Sequence, residues 1–180
     1  MKQAKNILLD RIRIRRRLVR WYDGHRRDLP WRQTDNPYAI WVSEIMLQQT
    51  RVETVIPYYL RFLEKFPTVE ALALAEPGEV IKAWENLGYY TRARNLQKAA
   101  REITDRFGGR IPADKEEILR LPGIGRYTAG AILSIAFGRP VPAVDGNIRR
   151  VISRLCAMEV TVDDPVVRER IEALVQTLIP

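Results

Sequence analysis

One cysteine and one histidine, Cys156 and His25, are all that the 180 residues contain of those two types. Neither a disulfide framework nor a zinc site can be assembled from them within one chain, so metal chemistry on side chains is not expected. The longest unbroken apolar run falls far short of the ~20 residues that span a bilayer. The basic start runs into Arg11-Ile12-Arg13-Ile14-Arg15-Arg16-Arg17 without the apolar segment of a signal peptide, so a cytoplasmic protein with no membrane partner is expected. Strand-like alternation, internal repeats, low-complexity tracts and flexible linkers are also missing. That leaves an all-α chain.

What the chain has is apolar mass and positive charge. Hydrophobic residues make up 46%, enough for a packed core. The formal charge is +8 and the pI near 9.9, which suits a polyanion, an acidic protein or a membrane surface alike. Placement narrows the choice. Through Pro30 there are ten Lys/Arg against three Asp, so nearly all of the excess sits in one N-terminal arm. Further on, Arg92 with Arg94, Arg126, and Arg149-Arg150 with Arg154 recur beside turns that would face a nucleic acid backbone.

Caps and periodicity lay out the helices. From Lys5 to Asp23, Ile14, Leu18, Trp21 and Tyr22 form one packing side, and the arginines either solvate the rest or contact phosphate. Arg26 to Arg32 is irregular. Asn36-Pro37 opens a helix carrying Ile40 through Gln49, and Thr50 with Glu53 forms a capping box for the next, which runs to Phe66 through Pro57. Thr68 and Pro77 start two short helices, and Leu96, Ala100, Ile103 and Phe107 mark a longer one that stops at Gly108-Gly109. Asp114 and Glu117 make a second capping box. Ile148, Val151, Ile152 and Leu155 line a further helix, and Asp164-Pro165 opens the last, with Ile171, Leu174, Val175 and Leu178.

Two stretches carry candidate chemistry. Leu121-Pro122-Gly123-Ile124-Gly125-Arg126-Tyr127 is a turn opening into an apolar helix, where backbone N–H groups can meet a phosphate with no Cβ in the way. That helix stops at Gly138, and Pro140 and Pro142 lead to Val144-Asp145-Gly146-Asn147. A turn between packed helices and an Asp that merely caps the next helix are the plainer alternatives. The second stretch is the helix of Glu44, whose neighbours one turn away are Ile40, Trp41 and Leu47. A poorly hydrated carboxyl keeps its proton toward neutral pH, as a general acid must; a Glu paired with an arginine inside the fold is the other reading. Tyr89, in a glycine-flanked turn near Arg92 and Arg94, either stacks on bases or packs in part.

With Ile40-Trp41-Val42-Ser43-Glu44-Ile45-Met46-Leu47-Gln48-Gln49-Thr50, Leu87-Gly88-Tyr89-Tyr90, the hairpin and Val144-Asp145-Gly146-Asn147 in register, nearly the whole chain resembles the MutY-type adenine DNA glycosylases of the helix-hairpin-helix superfamily. The resemblance implies a six-helix, barrel-like domain at residues 29–138 and a second lobe from 1–28 and 139–180. It implies base flipping and removal of adenine mispaired with 8-oxoguanine or guanine in duplex DNA, by a monomer. Glu44 would protonate the leaving purine, and Asp145 would stabilise the oxocarbenium-like sugar or briefly bond to it. Tyr127 stands where lyase relatives place a Schiff-base lysine, so the enzyme would be monofunctional. Gln49 and Tyr89 match residues that probe the opposite strand and Thr50 one that contacts the oxidised guanine. Arg32 and Asn147 match residues near the adenine pocket, while Gly123, Gly125 and Arg126 belong to the phosphate grip.

The family usually continues into a four-cysteine loop holding a 4Fe-4S cluster and a domain that reads 8-oxoguanine. This sequence has neither, and Cys156 reads as a buried core thiol. A truncated piece and a natural short form are both open, with full activity in question. A related mismatch glycosylase with another base target, and a fragment that binds DNA without efficient catalysis, are the competing functions.

Overall fold

The computed structural model describes residues 2–158 and 164–180, with side chains from residue 10 onward. Its helices are α1 (Lys2–His25), α2 (Pro37–Met46), α3 (Val52–Lys65), α4 (Val69–Leu74), α5 (Pro77–Ala83), α6 (Thr91–Phe107), α7 (Lys115–Arg120), α8 (Arg126–Ile135), α9 (Gly146–Leu155) and α10 (Pro165–Leu178), with a 3-10 turn at Pro30–Arg32. No strand occurs among the described residues. The chain divides into two compact units, Leu29–Arg139 and Met1–Asp28 with Pro140–Pro180.

The unit Leu29–Arg139 is built around α2. Asn36 accepts hydrogen bonds from the N–H groups of Tyr38 and Ala39, and Pro37 supplies a first-turn residue with no N–H to satisfy. Every residue from Tyr38 to Met46 is buried, as a helix apolar nearly all round must be. Elements α3, α6 and α8 pack on it. Tyr38 and Trp41 meet edge to face, as do Phe62 and Trp84, and the Tyr38 hydroxyl donates to Phe66 O at 2.8 Å. Burial pushes the Tyr38 phenol above the usual tyrosine range. The unit holds α2 to α8, with Pro77 starting α5 separately from α4 as the sequence indicates.

Two local expectations give way here. Gln48 and Gln49 lie beyond the end of α2, in a turn where Gln49 takes a left-handed φ of 57°. The Thr50 capping box does not form: Arg51 is the N-cap of α3, and the Thr50 hydroxyl is turned to Gln48 O and to Arg92. Glu117, the other capping-box acid, spends its carboxylate on Arg106 and Arg120, although Asp114 caps α7 as expected.

In the other unit, Ile152, Cys156, Ile171 and Leu174 form a core onto which Ile14, Val144, Ile148, Val167, Val175 and Leu178 pack. The Arg15 guanidinium donates to the carbonyls of Thr177, Leu178 and Ile179, satisfying the C-terminal end of α10. The apolar side of α1 packs less than its periodicity suggests. Ile14 joins the core, but Leu18, Trp21 and Tyr22 are exposed, as are Val151 and Leu155 on α9.

Candidate functional site

Helices α7 and α8 are the two arms of the hairpin, and Leu121 and Ile124, both buried, pin the turn to the core from below. Gly123 and Gly125 lie on its exposed outer surface, for different reasons. Gly123 has φ 77°, and a Cβ there would stand 2.8 Å from the Asn95 Cβ, so its glycine is demanded from inside the fold. Gly125 has an ordinary φ of −95°, and a Cβ on it would meet nothing within 4 Å. It is the N-cap of α8 and supplies no side-chain hydrogen bond, so the first-turn amides of that helix have no side-chain acceptor from their own cap. Arg126 beside it is exposed and Tyr127 half-buried.

Glu44 sits on α2 at 8% exposure, within the run from Tyr38 to Met46 that is buried throughout. One turn on, Gln48 donates to the Thr128 hydroxyl at 3.4 Å and so ties the end of α2 to the second hairpin helix. Gln49 points outward, with Thr50 half-buried behind it. Tyr89 is 63% exposed and, like Gln49, has a left-handed φ, 47°. Trp31 is buried edge-on to Tyr59, and Arg32 is exposed at the end of the same 3-10 turn. The structure thus groups Gln49 with Thr50, and Gly123 with Gly125 and Arg126, within the unit that also holds Glu44 and Tyr127.

Asp145 and Asn147 belong to the unit of the chain ends. Asp145 caps α9, accepting from Ile148 N–H at 2.7 Å and from the Asn147 amide at 3.0 Å, and Arg150 donates to the Asn147 carbonyl oxygen. The capping role weighed from sequence is therefore real. It fixes the orientation of a half-buried carboxylate whose Oδ2 lies toward Asn147.

One basic residue is not where the charge pattern puts it. Arg92 is half-buried, and its guanidinium donates inward to five carbonyls and the Thr50 hydroxyl instead of facing a phosphate backbone. Desolvation lowers its pKa, with Tyr89 acting in the opposite sense. Asn95 behind Gly123, and the Thr128 contact of Gln48, were likewise silent in the sequence.

Among the described residues no group of three or more His, Cys, Asp or Glu side chains converges as a metal site would. Cys156 is buried in an apolar cluster, and burial raises its thiol pKa. One buried thiol does not fit a cluster that needs four thiolates. No described helix is long and apolar enough to cross a membrane.

A glycine-bearing hairpin between two short helices, set in an all-α fold, defines a helix-hairpin-helix protein. The family model of the HhH-GPD superfamily base excision DNA repair proteins matches residues 42–177. The chain belongs to that family. It is 49% identical to the adenine DNA glycosylase of Rattus norvegicus over 154 residues, covering 81% of this chain and 30% of the relative. To that of Homo sapiens it is 46% identical over 171 residues, covering 90% and 31%. The chain therefore spans about a third of the length of these curated relatives. Among solved structures it is similar to a thermostable thymine-DNA glycosylase, with TM-score 0.79, 29% identity and coverage of 98% of this chain and 84% of that one. It is similar also to endonuclease III in a non-covalent DNA complex, with TM-score 0.77, 29% identity and coverage of 94% and 78%.

Proposed function

We propose that the chain is the glycosylase part of a monofunctional adenine DNA glycosylase, hydrolysing the N-glycosidic bond of adenine mispaired with 8-oxoguanine or guanine in duplex DNA. One observation carries this reading: in a chain that matches adenine DNA glycosylases at 46% and 49% identity, a carboxyl residue lies on a mostly apolar helix that is buried from Tyr38 to Met46. Glu44, buried on α2, is the group placed to deliver a proton to a purine nitrogen as the base departs.

Asp145 supplies the negative charge for the oxocarbenium-like sugar, held in orientation by Ile148 N–H and Asn147. Water then completes hydrolysis at the anomeric carbon. Tyr127 has no amine, so it forms no imine with the opened sugar, and the product is an abasic site on an intact strand. The exposed hairpin glycines and Arg126 grip phosphate, Gln49, Thr50 and Tyr89 meet the opposite strand, and Arg32 lies near the adenine.

The test of the carrying observation is Glu44→Gln, which keeps size and hydrogen bonding but removes the proton donor. The variant should bind duplex as the parent does and release adenine at least about a hundredfold more slowly, the usual weight of a general acid. Release at the parental rate in a single-turnover assay would overturn the assignment.

A further inference from the structure

The guanidinium of Arg92 is shared between two turns. Its Nη1 donates to Ile45 O at 2.9 Å, Met46 O at 3.0 Å and Gln48 O at 2.6 Å, the carbonyls at and beyond the end of α2. Its Nη2 reaches the Thr50 hydroxyl at 3.2 Å, Leu87 O at 3.2 Å and Gly88 O at 3.3 Å. One side chain thus bridges the segment around Gln49 to the segment around Tyr89. Its Cζ also lies 5.6 Å from the centre of the Tyr89 ring and 5.4 Å from that of Trp84.

The two residues so flanked share two properties. Both are exposed, and both hold a left-handed φ that a non-glycine residue adopts only when its surroundings impose it. The surroundings here are the carbonyls on either side, fixed by one planar cation. A guanidinium can do this because its fork offers separate nitrogens to separate acceptors; an ammonium is a single point without that fork, so a lysine cannot hold the two turns against each other.

We propose that Arg92 is a positioning residue that locks the Gln49 and Tyr89 turns into one rigid platform and so sets the spacing at which both side chains enter the base stack opposite the target. This deepens the functional reading above and rests on it. Parting a stack opposes the probe with a force that a loose turn would absorb by yielding. A preorganised pair of turns transmits it to the duplex and keeps the register in which Thr50 and Gln49 tell one partner base from another.

The test uses R92K and, as the fuller deletion, R92M in the same chain. In hydrogen–deuterium exchange of the free protein, R92K should lose protection at residues 47–51 and 86–90 together, while α3 and α6 exchange as before. Loss in one turn alone, or in neither, overturns the proposal. If R92M does not fold, R92K decides the matter.

The second readout is the ratio of adenine release opposite 8-oxoguanine to that opposite guanine, which should fall about tenfold in R92K, a change worth about 1.4 kcal/mol of discrimination. Both turns loosened with the ratio intact would show Arg92 to be only a helix cap and would overturn the positioning role. If the parent chain releases no base from any duplex, the functional reading fails, whereas the exchange experiment still decides whether Arg92 couples the turns.

Discussion

At the scale of single residues, burial and hydrogen bonding make stability depend on pH in a way that can be worked out. Tyr38 donates to Phe66 O in the core, and its phenol pKa is raised by desolvation. Above about pH 10 the unfolded chain loses this proton while the folded chain keeps it, so the folded state binds more protons and stability falls as pH rises. Tyr38→Phe should cost about 1–3 kcal/mol near neutral pH, since it leaves the Phe66 carbonyl without this donor. The gap between parent and variant in urea unfolding should then narrow as pH passes 10, because only the parent carries the titrating phenol. A gap that stays constant to pH 11 would contradict the burial of that proton. The caps of Asn36, Thr68, Asp114, Asp145 and Asp164 were legible in the sequence, because each side chain bonds an amide two or three residues on. Arg92 was not. Three of its acceptors, Ile45, Met46 and Gln48, lie 44 to 47 residues away, and nothing local distinguishes an inward arginine from a solvated one.

At the scale of elements, the hairpin separates what the fold needs from what a ligand needs. Gly123→Ala would force a Cβ into a left-handed backbone and against Asn95, and should lower the melting temperature. Gly125→Val puts its Cβ in open space at an ordinary φ, so, losing only a better N-cap, it should melt closer to the parent than Gly123→Ala while weakening binding to matched and mismatched duplexes alike. The pairing is informative because sequence alone assigned both glycines to close approach. Unchanged duplex affinity in a folded Gly125→Val chain would reduce the hairpin to a turn. Several helix starts were readable from caps and prolines, although Thr50 misled for α3, whereas helix burial was readable only in part. Periodicity shows that α1 has an apolar side, but which apolar residues find a partner depends on distant elements, and Trp21, 58% exposed, stacks among the described residues only on His25 one turn along its own helix.

At the scale of the whole molecule, a formal charge of +8 concentrated in the N-terminal arm should make association with duplex strongly electrostatic. Each phosphate neutralised contributes roughly −0.9 to the slope of log affinity against log salt. The slope should be steep and the same for matched and mismatched duplexes, since phosphate contacts carry no sequence information. A shallow slope would place the affinity in the bases instead. The all-α class was plain from the absence of strand patterns, and the pairing of Glu44 with Asp145 as candidate carboxylates came from the order of motifs along the chain. The measurement that bears most directly on the account is base release by the whole chain from duplexes holding adenine opposite 8-oxoguanine, guanine or thymine, with strands resolved before and after alkali. Breaks at the adenine opposite 8-oxoguanine and guanine, few opposite thymine, and none without alkali are the predicted result. Release of thymine instead of adenine, breaks that need no alkali, or no abasic product from any duplex would contradict it.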